Sequence, residues 1–321
     1  MLFEILIIMI GFALLISGAN LLVKGSSNIA KRFHIPEILI GLTIVALGTS
    51  APELIISITS GNKGATDLIV GNAIGSNLCN LLLILGLMAV IKPIKIDKEA
   101  KNIHIPVLFL ATLIILIMGL ELFSSAPAVI NKIEGIILII MFILYFSYPI
   151  IVEIKDIAKS FKENKKNNEY EKNSITLSIM YIIIGIVLLK YGGDFVVDYS
   201  TKIAQMFNVS QRIIGLTIVA FGTSLPELVT SILAIIRKDT DLAVGNLVGS
   251  SVLNIFLILG AGAIITPLSV TNEFKQNILL LLFSTVLLWL FNFIGKKDTI
   301  TRVKGIMLIL IFLAYLVKLF I

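Results

Sequence analysis

The chain has 321 residues, of which 57% are hydrophobic and 14% charged, against roughly 25% charged residues in an ordinary soluble domain. With a mean hydropathy of +1.03, it carries more apolar side chain than a water-facing globule can cover, so a soluble fold is excluded. One cysteine, Cys79, and two histidines, His34 and His104, exclude an internal disulfide framework and a His-rich zinc or haem site. The net charge of +6 is scattered between apolar runs, which excludes a nucleic-acid patch.

A membrane-spanning helix needs about 20 predominantly apolar residues. In chain order, such runs lie near 3–22, 38–60, 68–91, 104–120 and 133–152, and again near 175–191, 213–236, 242–265, 276–294 and 305–320. The first begins at Met1 without a basic leader region or a small-residue cleavage site, so it reads as a retained helix. Between the two sets, Glu153–Asn173 is rich in Lys, Glu and Asn and buries too little apolar area to order itself. The expected fold is an all-α polytopic membrane protein with ten transmembrane helices. A first five-helix repeat covers 1–152, a linker 153–174, and a second repeat 175–321.

The two sets match without a gap at an offset of 174. Residues 41–54 read GLTIVALGTSAPEL and residues 215–228 read GLTIVAFGTSLPEL, identical at 12 of 14 positions. Further on, 71–80 is GNAIGSNLCN and 245–254 is GNLVGSSVLN, keeping both glycines, the first Asn, the Ser and the last Asn. Five spans is an odd number, so the second repeat enters the bilayer from the opposite side and the repeat is inverted. Placing the N-terminus outside puts nineteen of the 26 Lys and Arg in the cytoplasm, the linker's six among them, and seven outside. The positive-inside rule therefore predicts both termini outside and a cytoplasmic linker, in a multi-pass protein of the cell membrane.

Two ionisable side chains fall near mid-span, Glu53 and Glu227, at the same repeat position. A charge at the bilayer centre costs about 2.5 to 3.5 kcal/mol even on an insertion scale, so a cation should meet them. Gly48-Thr49-Ser50 and Gly222-Thr223-Ser224 can open the helix, and Pro52 and Pro226 remove an amide donor. The span then becomes two half-helices whose freed carbonyls can bind a cation, with Ala46 and Ala220 one turn before the break. The same Ser-x-Pro-Glu residues also fit a capping box. Their mid-membrane position, their repetition, and an acid where Gln would cap without charge favour the cation site. Asn80 and Asn254 add neutral oxygens, with Ser76 and Ser250 four residues earlier on the same helical face. Gly41, Gly71, Gly75, Gly215, Gly245 and Gly249 read as close-packing positions, and Cys79 as a small apolar filler. An all-oxygen site suits hard cations such as Ca²⁺ and Na⁺, and two carboxylates that neutralise one divalent ion can also hold monovalent ions or protons.

These two copies of GTS-x-PE, each followed by G-N-x-x-G-S-x-x-x-N, resemble the α-repeats of the Ca²⁺/cation antiporter superfamily, closest to its sodium/calcium exchanger branch. The resemblance spans both halves. It implies an antiporter exchanging Ca²⁺ for Na⁺, with no cofactor, in which the second and third helices of each half enclose the ions while the first and sixth slide across the other eight. Carried over, the central Ca²⁺ site comprises Glu53, Glu227 and the Thr49 and Thr223 carbonyls. Sodium sites use Ser50, Ser76, Ser224, Ser250 and the Ala46 and Ala220 carbonyls together with the glutamates. Some prokaryotic relatives place Asp where this chain has Asn254, which leaves this site less acidic by one carboxylate. The G-N-A-T-E type of motif of proton/Ca²⁺ exchangers is absent, since Ile74 and Gly75 follow Gly71-Asn72-Ala73. That favours Na⁺ over the alternative Ca²⁺/H⁺ exchange by the same site. An enzyme would need a nucleophile with a base or a metal with its ligands, and no His lies mid-span beside the glutamates. A channel would need no coupling. The expected partners are inorganic cations and the lipid bilayer.

Overall fold

A computed structural model describes residues 2–33, 35–120, 129–148, 175–207 and 220–320. The expected linker over 153–174, Arg212, and the start of the seventh run with Gly215 lie outside these.

The first helix, α1 (Leu2–Phe33), runs well past the expected end near residue 22. It continues because the Gly- and Ser-rich stretch there forms one buried face with Gly18, Ala19, Leu22, Gly25, Ser26 and Ser27. The partner of that face is α7 (Ile175–Met206), which likewise outruns its expected end near 191. Gly11, Gly18 and Gly25, at seven-residue steps, meet Gly192, Gly185 and Ser178. Numbers rise along one helix as they fall along the other, so the two run antiparallel. A Cβ at Gly18 would stand 2.8 Å from the Gly185 carbonyl oxygen, and one at Gly192 would stand 2.8 Å from that of Gly11. Only glycine admits that approach, which substitutes dispersion contact for the hydrophobic drive that lipid removes.

After α1 the chain forms α2 (Glu37–Thr49) and α3 (Ala51–Asn62), bent 47° to each other at Ser50. Then come α4 (Thr66–Ile91), α5 (Ala100–Gly119) and α6 over 132–148. Beyond α7 lie α8 (Ala220–Thr223), α9 (Leu225–Ile236), α10 (Thr240–Ile265), α11 (Asn272–Leu290) and α12 (Arg302–Phe320). Among the described residues six single helices are long and apolar enough to cross a membrane, and the bent α2–α3 pair makes a seventh. Large apolar side chains such as Phe3, Met9, Ile143 and Leu310 stand exposed, as a lipid-facing surface requires. This is an all-α membrane protein.

Burial separates the helices into two kinds. The apolar windows of α4 and α10 are 72% and 78% buried, those of α1 and α7 only 28%, so α4 and α10 form the centre and the α1–α7 pair lies at the edge. Gly41 on α2 lies against the Leu242 carbonyl of α10, and Gly245 on α10 against that of Ile38 on α2, as close-packing positions. Gly249 packs on Leu42 in the same way. At Gly71 and Gly75, by contrast, an added Cβ would meet no other described element within 4 Å, so these two are not close-packing positions.

Two short antiparallel pairings tie the halves together. Strand β1 (Ile94–Lys95), which follows α4, pairs with β4 (Thr299–Ile300), which precedes α12, with Ile94 opposite Ile300. Strand β3 (Leu268–Ser269), which follows α10, pairs with β2 (Val129–Ile130), which precedes α6, with Leu268 opposite Ile130. The helices obey the same rule: Gly86 of α4 meets the Gly305 carbonyl of α12, and Gly260 of α10 meets that of Gly135 of α6.

Candidate cation site

The α2–α3 bend is built by its own sequence. Pro52 has no amide hydrogen, so the carbonyl of Gly48 loses its helical donor. Ser50 sits at φ −85°, ψ 7°, in the sparsely used region between helix and strand. Ser224, before α9, repeats this at φ −87°, ψ 3°. The capping box does not form at either: neither serine side chain caps the helix it precedes. Ser50 Oγ instead donates to Glu227 Oε1 across the repeats at 2.8 Å.

Around these breaks the expected residues converge. Glu53 and Glu227 are both fully buried. Ser76 Oγ stands 3.4 Å from Glu53 Oε1 and 3.0 Å from Ser224 Oγ, so it links one carboxylate to the opposite break. Thr49 Oγ1 lies 3.5 Å from Ser250 Oγ, and both stand beside the Glu227 carboxylate. Among the described residues, Oε2 of each glutamate, both amide atoms of Asn80 and Oδ1 of Asn254 are buried without a hydrogen-bond partner. Buried polar groups are nearly always bonded, so these open oxygens, one on each carboxylate, mark the breaks as a candidate site. Among the described residues no three of His, Cys, Asp and Glu converge, which leaves neutral oxygens to complete any coordination beyond the two carboxylates.

Asn80 and Asn254 each lie in a π-helical stretch, Cys79–Ile84 and Asn254–Leu259. Such single-turn bulges recur at functional sites because they leave backbone groups out of the regular ladder. Cys79 faces Ser224 and lies within electrostatic range of both glutamates, so the residue that reads as filler is part of the site's wall. The Ala46 carbonyl is not freed by the break, since it accepts the Ser50 amide at 2.9 Å. In the second repeat the matching amide, that of Ser224, donates to Phe221 at 3.1 Å, one residue beyond Ala220.

The sequence reading missed two braces. Thr49 Oγ1 donates to Asn246 Oδ1 at 3.1 Å, and Thr223 Oγ1 to Asn72 Oδ1 at 3.4 Å. Each break is thus held by the first Asn of the opposite repeat's second motif. Asn72 Nδ2 also donates to the Glu53 backbone carbonyl at 3.3 Å, and Asn246 Nδ2 to Ser231 Oγ at 3.0 Å. The signal was present in the sequence, because Asn72 and Asn246 are among the positions kept between the repeats. A cavity of about 180 Å³ lies beside both breaks, lined in part by Pro52, Thr223, Pro226, Lys190, Asp194 and Asp198.

The sequence model of the family described as "Sodium/calcium exchanger protein" matches residues 3–151 and 177–321. "Putative antiporter CaxA" of Alkalimonas amylolytica is 33% identical, aligned over 100% of this chain and 99% of its own length. "Sodium/calcium exchanger MaX1" of Methanosarcina acetivorans is 31% identical over 98% of each. The solved sodium-calcium exchanger NCX_Mj superposes with a TM-score of 0.83 at 31% identity, covering 98% of both chains. With its family model matched across both halves and full-length relatives of this similarity, the chain belongs to the sodium/calcium exchanger family of the Ca²⁺/cation antiporter superfamily.

Proposed function

We propose that this antiporter exchanges Ca²⁺ for Na⁺ by alternating access at the site between the two breaks. The observation that carries this is the pair of buried carboxylates, one from each repeat, each with an oxygen unpartnered among the described residues. Two such charges neutralise one Ca²⁺, and the same oxygens with Ser, Thr and Asn groups serve Na⁺ in its place. In this reading Ca²⁺ takes Glu53, Glu227 and the Thr49 and Thr223 carbonyls. Sodium ions take Ser50, Ser76, Ser224, Ser250 and the Ala46 and Ala220 carbonyls with the glutamates, and Asn80 and Asn254 flank the middle. The solved exchanger NCX_Mj was soaked with Na⁺ and Ca²⁺ in a study of extracellular ion exchange, which supports Na⁺ as the counter-ion here.

The architecture that goes with this function is ten spans in two inverted repeats, 1–152 and 175–321, joined by a cytoplasmic linker over 153–174, with both termini outside. The antiparallel α1–α7 contact and the exchanged pairings of β1 with β4 and β2 with β3 support inversion. With 28% buried windows, α1 and α7 are the pair free to slide over the rest, and the cavity beside the breaks is the outer approach to the ions.

The experiment is ⁴⁵Ca²⁺ counter-flow in proteoliposomes under separately imposed Na⁺ and pH gradients. A Na⁺ gradient should drive Ca²⁺ uptake and a pH gradient alone should not. Uptake driven only by pH would replace Na⁺ with H⁺, and Ca²⁺ flux without any counter-ion gradient would make the protein a channel.

A further inference from the structure

The second motif differs between the repeats at one polar position: Asn77 stands where Ser251 stands in the other half. Asn77 is fully buried. Its Nδ2 donates to the Ser251 backbone carbonyl at 3.0 Å, and its Oδ1 accepts from Asn254 Nδ2, also at 3.0 Å. A backbone carbonyl only accepts, so the Asn77 atom facing it is the NH₂ group. The atom facing Asn254 is then the oxygen, and Asn254 must present its own NH₂ there. The direction of the chain is set from the carbonyl outward, which leaves Asn254 Oδ1 buried, unpartnered and turned away from Asn77.

The other half lacks this device. Among the described residues, the hydroxyl of Ser251 is buried without a partner and neither atom of the Asn80 amide is bonded. A serine has no second polar atom with which to relay a direction, so no described residue fixes which end of Asn80 faces the site.

We propose that Asn77 is a positioning residue that locks the Asn254 amide with its oxygen toward the ion, which makes Asn254 the fixed neutral ligand and Asn80 the one that turns. The inference rests on the cation site proposed above. It assigns unequal roles to two residues that the repeat makes equivalent, and it places the difference in position 77 against 251. A locked oxygen lowers the ordering needed when an ion arrives, whereas a free amide adapts its donor or acceptor end to whichever ion is present.

The test is a double-mutant cycle on ⁴⁵Ca²⁺ exchange in proteoliposomes. Asn77→Leu keeps the side-chain size and removes both hydrogen bonds. It should raise the half-saturating Ca²⁺ concentration roughly fivefold to tenfold, the equivalent of one buried hydrogen bond, with the maximal rate changed much less. Asn254→Ala should do the same, and the double variant should be no worse than Asn254→Ala alone, because the group that Asn77 orients is gone. The effects of Asn77→Leu and Asn80→Ala should multiply. Ser251→Asn supplies the missing relay and should lower the half-saturating concentration by fixing Asn80. Multiplying effects of Asn77→Leu and Asn254→Ala, or a loss of maximal rate and thermal stability at unchanged half-saturation, would make Asn77 a packing residue and overturn the inference. An unchanged half-saturation in Ser251→Asn would overturn it as well, even if Asn77→Leu failed to fold. Glu227→Gln run in parallel separates the two readings: survival of exchange there would remove the site itself, whereas collapse there with a multiplicative cycle would remove only the role of Asn77.

Discussion

Ser50 and Glu227 belong to different halves of the chain, yet the serine hydroxyl of one break holds the carboxylate of the other at 2.8 Å. The partner expected by symmetry, Ser224, is joined to Glu53 through Ser76 among the described residues. The two carboxylates are therefore equal in burial and unequal in support.

Both carboxylates should nonetheless be indispensable. Gln at 53 or 227 keeps the size and leaves one negative charge for a divalent ion. Removing one partner of a buried charge set costs about 3 to 5 kcal/mol, or about a hundredfold to several thousandfold in affinity. Glu53→Gln and Glu227→Gln should each abolish measurable ⁴⁵Ca²⁺/Na⁺ exchange while inserting normally. Near-normal exchange in both variants would show that the ions bind elsewhere.

The asparagine braces predict a stability effect on both sides of the molecule. Asn72→Ala removes one hydrogen bond each from the Thr223 hydroxyl and the Glu53 carbonyl, and Asn246→Ala one each from Thr49 and Ser231. Losing hydrogen bonds of this kind costs about 0.5 to 1.5 kcal/mol each. Both variants should melt earlier in detergent, followed by loss of the monodisperse peak, and should bind Ca²⁺ more weakly. Wild-type melting would mean that the breaks are held by other contacts.

Gly18 offers a test of the α1–α7 seam. A Cβ there meets the Gly185 carbonyl at 2.8 Å, and backbone cannot give way as a side chain can. Gly18→Leu should destabilise by at least the roughly 1 to 3 kcal/mol of ordinary overpacking. Ala13→Leu, on an exposed position of the same helix, should leave the melting temperature unchanged. Equal behaviour of the two variants would remove the seam.

Outside the bilayer, Lys101 Nζ stands 2.6 Å from Asp298 Oδ1. The hydrogen bond from Lys101 holds the Asp298 carboxyl below its usual range. A depressed folded-state value means that this contribution is complete above the unfolded value of about 3.9 and is lost as pH falls through the folded one. Melting temperature should be insensitive to this pair between about pH 6 and 8 and should fall under acid conditions. Lys101→Met should remove the acid-side part of the fall, and an unchanged acid limb in that variant would show that the pair is stabilising nothing.

Much of the site was readable because it is written twice. The offset of 174 marked Glu53 with Glu227, Ser76 with Ser250 and Asn80 with Asn254, and a mid-span acid has no cheap apolar explanation. The lengths of α1 and α7 were not readable: Gly, Ser, Asn and Lys after residue 17 look like a loop until a second glycine-lined helix is laid against them. The braces from Asn72 and Asn246 depend on which break each motif faces, a tertiary fact that repetition alone does not carry. Asn77 was hidden for the opposite reason, since its importance lies in what the repeat does not share.

The exchanged pairings also govern how the protein is made. When α4 and β1 leave the ribosome, the glycine groove at Gly86 and the strand edge at Ile94 await Gly305 and Ile300, which are translated only after α11. The first half therefore cannot complete these contacts until α12 is made. Either half made alone is an incomplete body, whereas two fragments divided within 153–174 and synthesised together hold every surface needed to clasp each other.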